Sequence, residues 1–205
     1  MKLDVRMIKN KEQLTELSPF RVEHALWGTR EYPLMYGYIG FVPGEAFYLK
    51  MISEEKNPLR KYKNANDPVY QDSAMEAFLM FEPESARMTK DIYINLEVNA
   101  NGALLAGYGT KRIYRSFFTG AEHELFECHS EIHENDWSAE LKIPVTLLER
   151  IYGQLNLGEG SFFTCNFYKI SETKEVEHYA SYAPISSGVP SFHVPEFFAE
   201  AEIVK

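Results

Sequence analysis

The fold is decided by a nine-residue stretch of the chain, Asp91-Ile92-Tyr93-Ile94-Asn95-Leu96-Glu97-Val98-Asn99. Its aliphatic residues alternate strictly with residues that carry a polar group, and this period of two is typical of a half-buried β-strand. The same alternation runs through two other segments, Met75–Phe81 and Trp137–Ile143. We therefore expect three strands that each bury one face in a core and expose the other face to water.

Short turn sequences connect several of the β-rich segments. Pro43-Gly44-Glu45 separates Tyr36–Val42 from Ala46–Ile52, and Asn99-Ala100-Asn101-Gly102 leads from the first stretch into Ala103–Tyr108. Loops this short join antiparallel neighbours, so both pairs are predicted hairpins. Further strand candidates are Glu122–His133, Ser161–Ile170, Val176–Tyr182 and Ala201–Val204.

Helical periodicity is confined to one segment. Val145–Tyr152 lies between a proline and a glycine and spaces its apolar residues as a helix of about two turns would. Many strands with one short helix favour an all-β fold, an antiparallel β-sandwich, over alternating strands and helices. At 205 residues the chain fits one large core better than two, so we expect a single domain over residues 1–205.

Charge and hydropathy narrow the class of partner. The net charge of −9 and the pI near 5.2 disfavour nucleic acid and anionic lipid, whose phosphates an acidic surface repels. No apolar run approaches the ~20 residues that cross a bilayer, and Met1–Leu14 alternates charged with apolar residues instead of building a signal-peptide core. We expect a soluble, cytoplasmic protein with no membrane partner; the sequence indicates no oligomeric state.

Sequence motifs for catalysis are absent. The chain has no GxSxG, HExxH, GxGxxG or GxxxxGK[ST] motif. His129 and His133 would lie ~13 Å apart on a strand, too far to share one metal ion. Cys128 and Cys165 lack CxxC spacing and fit small buried hydrophobic residues as well as a disulfide.

Aromatic residues make up 14% of the chain, more than a core of this size requires, so some rings are candidates for ligand binding.

Five segments stand in a recognisable order along the chain. They are Val69–Leu79, Tyr93–Gly102, Trp137–Pro144, Phe163–Lys169, and a closing stretch that runs from Tyr182-Ala183-Pro184 to Phe198. Together they resemble the family-nine carbohydrate-binding modules, over the chain from about Tyr36 to the C-terminus. The resemblance implies a jelly-roll-like β-sandwich that binds a sugar without acting on it. It also implies that the sugar is clamped between two aromatic rings.

The resemblance places the two clamping rings at Tyr70 and Tyr182, where the family uses tryptophan. Asp72-Ser73 stands where the family often has a doubled acid. Trp137 falls on the alternating apolar face of its segment and is expected in the core, whereas Trp27 fits the core or the ligand site. Neutral sugars combine flat C–H faces with a rim of hydroxyls, so rings and hydrogen-bonding side chains suit them. His193 stands between prolines, as a hydrogen-bonded corner or as a ligand-facing residue. The predicted ligand-binding residues are Tyr70, Tyr182, Asp72, Asn166, Lys169, Glu54 and His193.

Other functions stay open on the sequence alone. A glycosidase or a cupin-like isomerase on a similar sandwich would use acids such as Glu76 and Glu97. A domain that contacts another protein would use Phe197-Phe198. We expect no cofactor, with one alternative, a structural calcium ion held by Asp67, Asp72 or Glu76 in the acidic region that follows the long loop Glu54–Ala65.

Overall fold

A computed structural model describes residues 1–82 and 91–205, and most regular structure in these residues is β-strand. The strands are β1 (Lys2–Met7), β2 (Phe20–Val22), β3 (His24–Ala25), β4 (Leu34–Val42), β5 (Ala46–Glu54), β6 (Ala74–Met80), β7 (Tyr93–Asn99), β8 (Leu104–Gly109), β9 (Ser116–Phe117), β10 (His129–Ile132), β11 (Trp137–Pro144), β12 (Phe162–Ser171), β13 (His178–Ser181) and β14 (Ala199–Val204). The helices are α1 (Ala121–Glu124) and α2 (Val145–Tyr152), with short 3₁₀ segments at Lys11–Glu16, Val69–Gln71, Lys174–Val176 and Pro195–Phe197. No helix in the described part of the chain is long and apolar enough to span a bilayer.

The strands join one curled sheet with the order β10-β11-β5-β4-β1-β14-β12-β6-β7-β8-β9. Strand β13 adds to β12 and β3, and β2 adds to β4. The prediction of a mostly β protein is confirmed, and so are both hairpins, β4–β5 and β7–β8. The expectation of antiparallel pairing throughout was wrong, because β1 runs parallel to both β14 and β4. This N-terminal strand carried no turn signal in the sequence, and its partners come from distant parts of the chain.

Local sequence explains both the bounds of helix α2, which were predicted, and the short length of strand β10, which was not. Helix α2 has the predicted bounds and ends at Gly153, whose φ of 81° suits a residue without a Cβ. The expected strand over residues 122–133 forms only at His129–Ile132. Ahead of it the chain forms helix α1, and Glu127 takes a φ of 44°, which breaks the extended backbone.

The main hydrophobic core lies between two parts of the curled sheet. Phe41 of β4, Leu49 of β5 and Trp137 of β11 meet Leu96 of β7 and Phe167 of β12 in this core. All five side chains are essentially inaccessible to solvent, so the expected core position of Trp137 is confirmed. Both cysteines are free thiols, so the disulfide alternative does not hold.

The second face of β6 and β7 was expected to be wet, and that expectation was wrong. Every residue of β7 is buried, including Asn95 and Glu97, whereas Glu140 and Lys142 of β11 are partly exposed as predicted. The difference arises because residues 185–198 cover the second face of β6, β7 and β12. Apolar residues of this segment and of the strands that it covers form a second, smaller cluster, the outer cluster. Its buried members are Leu26, Ala74, Phe78, Tyr93, Tyr168, Ile170, Ile185 and Phe192.

Candidate functional site

A cavity of about 300 Å³ opens beside the outer cluster, on the second face of β6, β7 and β12. Pockets that bind small molecules start at about this volume. Its wall residues come from β6, β7, β12 and β13 and from the loops around residues 66–70, 112–117 and 190–193. A site built from so many separate segments is visible only in the folded chain.

Five aromatic side chains line this cavity, and three of them come from separate segments and carry polar groups: Trp27, Tyr70 and Tyr179. The carbonyl of Tyr70 accepts a hydrogen bond from the backbone N–H of Glu172 at 2.9 Å, which ties its 3₁₀ turn to the end of β12. The indole N–H of Trp27 donates to the carbonyl of Ser187 at 2.8 Å, and its ring meets Tyr179 edge-on at 5.4 Å. These rings are partly exposed and held in place, so they can contact a ligand.

The strand register explains why Tyr179 faces the cavity. Tyr179 pairs with Ile170 of β12, while Tyr168, two residues earlier, pairs with Glu76 of β6. Side chains two residues apart on a strand share a face, and directly paired residues do too. Tyr179 therefore lies on the face that carries Glu76. Burial, and then its hydrogen bond to Glu177, raise the pKa of Tyr179 to about 12, so the phenol is neutral.

Two buried carboxyl groups line the cavity side by side. Glu76 and Glu97 are directly paired across β6 and β7, so their Cβ atoms lie about 5 Å apart on one face. They are 2% and 4% exposed. Burial, followed by the nearby Glu97, raises the pKa of Glu76 well above its ordinary value. Burial likewise raises the pKa of Glu97 to about 7, against the opposing hydrogen bond from Asn95 and the charge of Arg115.

The two oxygens of Glu97 differ in their surroundings. Oε1 accepts a hydrogen bond from the Asn95 amide at 2.8 Å. Oε2 is buried and has no hydrogen-bond partner among the described residues. A buried polar atom without a partner costs about 1–3 kcal/mol, which a ligand donor at this position would recover.

Arg115 braces the cavity and has little capacity left for a ligand. It donates hydrogen bonds to Asn95 Oδ1 and to the carbonyls of Tyr93 and Lys111, all at 2.9 Å, and lies 4.4 Å from the Tyr93 ring centre. Arg112 lies at the exposed rim, 3.4 Å from Glu172. The guanidinium of Arg115 thus positions Asn95, which in turn orients Glu97.

His193 is a neutral part of the cavity wall. Its Nδ1 lies 2.9 Å from the Tyr93 hydroxyl, and its ring packs 5.0 Å from Phe78. Burial, then the charges of Arg115 and Arg112, lower the pKa of His193 to about 3. The imidazole therefore contributes hydrogen bonding and shape, without a charge, at physiological pH.

The raised pKa of Glu97 makes stability depend on pH. The ordinary pKa of a glutamate is 4.5 and that of folded Glu97 is about 7, so the folded state binds the proton more tightly. Stability contributed by this group is complete below pH 4.5 and declines as the pH rises through 7. We expect Glu97→Gln to raise the free energy of unfolding at pH 8 by up to about 3 kcal/mol.

The measurement is urea unfolding of both proteins from pH 4.5 to 8. The increase in the free energy of unfolding of Glu97→Gln should appear only as the pH rises. The Glu134→Gln variant, at an exposed position, controls for the loss of one negative charge. If Glu97→Gln shifted the free energy of unfolding equally at every pH, burial of a titrating Glu97 would be the wrong explanation.

The structure brings two of the seven predicted ligand-binding residues, Tyr70 and His193, to the cavity. It does not bring Tyr182 there. Tyr182 lies three positions after Tyr179, an odd offset that turns its side chain to the opposite face. Its ring packs edge-on against Phe20 and Phe167 of the main core, at 6.0 and 5.9 Å. The expected cleft between Tyr70 and Tyr182 is thus replaced by one in which Tyr179 is the second tyrosine.

Asp72 and Asn166 do not line the cavity, because the fold uses their polar atoms. Asp72 is fully buried and accepts hydrogen bonds from the backbone N–H groups of Lys61 and Tyr62 at 2.8 and 3.0 Å. The Asn166 amide accepts from the N–H of Ala183 at 2.8 Å and donates to its carbonyl at 3.2 Å. Both side chains hold loops against the sheet.

Lys169 and Glu54 also lie outside the cavity wall. Lys169 is fully buried on the core side of β12, where its amine donates to Ser73 Oγ and lies 3.4 Å from Glu55 Oε2. Burial lowers the pKa of Lys169 to about 8, although Glu55 opposes the shift. Glu54 ends β5 with an exposed side chain.

The three candidate calcium ligands do not converge. Asp67 accepts hydrogen bonds from the backbone N–H groups of Lys63 and Asn64, and Asp72 accepts them from those of Lys61 and Tyr62. Glu76 lies apart from both, at the cavity. The described residues contain no group of three or more His, Cys, Asp or Glu side chains placed to hold a metal ion.

Sequence reasoning missed Tyr179 and Arg115 and left Trp27 open between core and ligand site. It named Glu76 and Glu97 as acids of an enzyme, and Glu76 also as a calcium ligand. One signal was available. The polar side chains of β6 and β7 stand on a single face, so any segment that covered that face would enclose them together.

A cavity walled by aromatic rings and buried carboxyl groups has the chemistry that suits a small polar ligand with apolar faces. The chain matches the sequence model of carbohydrate-binding family 9 over residues 11–203 and belongs to this family. It is a non-catalytic carbohydrate-binding protein by that membership. No curated protein matches the chain.

Solved structures share the fold. A protein from Bacteroides uniformis that is proposed to bind carbohydrate is 22% identical, with a TM-score of 0.80 over 98% of each chain. A family 9 carbohydrate-binding module from Caldicellulosiruptor kristjanssonii in complex with cellotriose is 12% identical, with a TM-score of 0.66 over 100% of this chain and 94% of that one. A family 9 module from the same organism, in complex with glucose, is also 12% identical to this chain. Its TM-score is 0.66 over 99% of this chain and 95% of that one.

Proposed function

We propose that the cavity binds a saccharide, with Tyr70 and Tyr179 stacking on its C–H faces and with Glu76 and Glu97 binding its polar groups. One observation carries the proposal: aromatic rings and a buried carboxyl oxygen without a partner converge on a single cavity. The family 9 module from Caldicellulosiruptor kristjanssonii binds glucose and cellotriose, which supports a hexose as the ligand.

The chemistry of the walls suits a sugar ring. A pyranose offers apolar C–H faces that gain free energy against an aromatic ring, and hydroxyls that need partners once they leave water. Trp27, Tyr70 and Tyr179 supply the apolar surface. Glu97 Oε2 accepts a hydrogen bond from the ligand, and His193 offers a neutral ring nitrogen.

We also propose that the curled sheet forms the two layers of a jelly-roll-like β-sandwich within one domain of residues 1–205. Support comes from the main core, to which β4, β5 and β11 contribute side chains from one side and β6, β7 and β12 from the other. The cavity then lies on the outer face of the second layer.

The same geometry favours binding without turnover. A glycosidase holds its two carboxyl groups on either side of the bond that it breaks. Glu76 and Glu97 are neighbours on adjacent strands, on a single wall of the cavity.

The position of the Phe197-Phe198 pair does not favour a protein-contact function, because both residues pack against the outer cluster.

The test is isothermal titration with a panel of mono- and disaccharides, followed by recovery of the sugar. We expect saturable binding and unchanged sugar. Tyr70→Ala and Tyr179→Ala should each weaken binding at least tenfold, about 1.4 kcal/mol, because each loses an aromatic contact with the ligand. Their melting temperatures should stay close to that of the unchanged protein, since both rings are partly exposed.

Tyr182→Ala is the matched control. Its ring packs on the main core, so we expect a lower melting temperature and, below that temperature, affinity within about twofold of the original. Sugar binding that depends on Tyr182 and not on Tyr179 would contradict the proposed site. Conversion of the sugar to a product would contradict the proposed function.

A further inference from the structure

In the described part of the chain, the carboxyl pair of Glu76 and Glu97 has no cation within ion-pair distance, although Arg115 and Arg112 act on it from farther away. Among the ion pairs of the described residues, none includes either carboxylate. Arg115, whose charge lowers the pKa of Glu97, gives its hydrogen bonds to Asn95 Oδ1 and to backbone carbonyls. Buried carboxylates are normally paired with a positive group, so this arrangement leaves a place for a cation.

The other groups around the pair do not fill that place. Arg112 lies at the exposed rim with Glu172, His193 is uncharged, and Lys169 is committed to Glu55 on the core side of the sheet. Tyr168 faces Glu76 from β12 as a neutral phenol. The unpartnered Oε2 of Glu97 is the atom that a ligand donor would reach.

The aromatic wall favours the same kind of ligand. An ammonium group is attracted to the faces of tryptophan and tyrosine rings, and more strongly where water is excluded. Trp27, Tyr70 and Tyr179 line the cavity that holds the two carboxyl groups. Rings and carboxylates together have the chemistry that a positively charged organic group on a neutral, ring-shaped ligand would need.

We propose that the cavity prefers a saccharide with a free amino group, whose ammonium binds between Glu76 and Glu97, over a neutral sugar of the same size. The proposal rests on the saccharide binding inferred above and specifies its ligand class. An ammonium has three N–H donors, enough for Glu97 Oε2 and for one oxygen of Glu76. A hexosamine such as glucosamine is the simplest probe.

The two carboxyl groups exchange a proton for this ligand. Near neutral pH the free pair retains a proton, because burial and mutual repulsion disfavour two adjacent charges. Binding of an ammonium favours both ionised carboxylates, and the displaced proton leaves to the buffer. Affinity for glucosamine should therefore rise between pH 5.5 and 7, while affinity for glucose should stay level or fall.

The experiment is isothermal titration of the full chain with glucosamine, glucose and N-acetylglucosamine, at pH 5.5 and 7 in low salt. At pH 7 we expect glucosamine to bind at least tenfold more tightly than glucose or N-acetylglucosamine. The acetylated sugar keeps the size and the nitrogen but has no charge, so it separates charge recognition from shape.

Two variants locate the effect. Glu97→Gln and Glu76→Gln should bring the ratio of the glucosamine and glucose affinities close to one, whereas Glu134→Gln, an exposed acid outside the cavity, should leave the ratio unchanged. If glucose binds the unchanged protein as tightly as glucosamine, the amine preference is overturned while the saccharide site stands. If no sugar of the wider panel binds, both proposals fall together.

Discussion

Asp72→Ala is expected to lower the free energy of unfolding by about 3–5 kcal/mol and to weaken saccharide binding as well. The Asp72 carboxylate accepts three hydrogen bonds, from the N–H groups of Lys61 and Tyr62 and from the Asn99 amide at 2.8 Å. Alanine leaves these donors without their acceptor at a position where the Asp72 side chain is fully buried. Each donor left unsatisfied costs about 1–3 kcal/mol, which sets the size of the expected loss.

The effect on binding follows from what Asp72 holds together. The residue ties the loop of residues 55–68 to the end of β7, because Asn99 also bonds the Tyr62 carbonyl at 3.0 Å. Asn66 and Pro68 of that loop line the cavity, as does Tyr70, two residues after Pro68. In a loosened loop the Tyr70 ring should adopt many orientations. Binding of the sugar would then have to fix the ring in one of them, and this loss of conformational entropy weakens the affinity.

Urea unfolding and sugar titration of the same preparation measure both effects. Asp67→Ala is the matched control, because Asp67 bonds the backbone of the same loop at Lys63 and Asn64 but is partly exposed to solvent. Its midpoint of unfolding should move far less. Equal shifts for the two variants would show that burial of the Asp72 carboxylate is not what stabilises the loop.

The parts of the fold that were predictable are those encoded by neighbouring residues. Ile94, Leu96 and Val98 alternate with polar residues, and their side of β7 does face the main core. The β4–β5 turn and helix α2 likewise depend on adjacent residues. The parallel strand β1 depends on contacts with β4 and β14, far away in the chain, and nothing local in residues 2–7 specifies those partners.

The candidate site was only partly predictable, for two physical reasons. First, Tyr179 and Tyr182 stand in one short segment, and the pairing of β13 with β12 decides which of them faces the cavity. Second, a polar residue type does not reveal where its hydrogen bonds go. Asn166 has the amide that a sugar site needs, yet both ends of that amide bond Ala183.

Lys169 is the clearest case of a predicted ligand residue with an internal role, and Lys169→Met should show it. Methionine keeps the length and the apolar stem, but it removes the only ammonium that the described residues place beside the partly buried Glu55. An uncompensated buried charge costs about 3–5 kcal/mol, so we expect a loss of that size in the free energy of unfolding at pH 7. The double variant Glu55→Gln/Lys169→Met should recover most of it, because a neutral pair leaves no charge buried.

The pH dependence of that loss identifies its cause. Burial alone would raise the pKa of Glu55, but Lys169, Ser73 and Trp137 outweigh burial and lower it. In the unchanged protein Glu55 therefore stabilises the fold above its unfolded pKa, and this stabilisation is lost as the pH falls. Without Lys169 the pKa of folded Glu55 should rise instead, so the cost of Lys169→Met should grow between pH 4.5 and 7.

Sugar titration of Lys169→Met decides between the internal role and ligand binding. Lys169 points to the core side of β12, next to Ser73, Glu55 and the Trp137 ring, and away from the cavity. At a temperature where the variant is folded, its affinity should lie within about twofold of the original. Loss of binding with unchanged stability would make the Lys169 amine a ligand contact, and it would require an access route from the cavity through the sheet. Such a route would be incompatible with the complete burial of this side chain, so stability and binding measured together test the placement of the site itself.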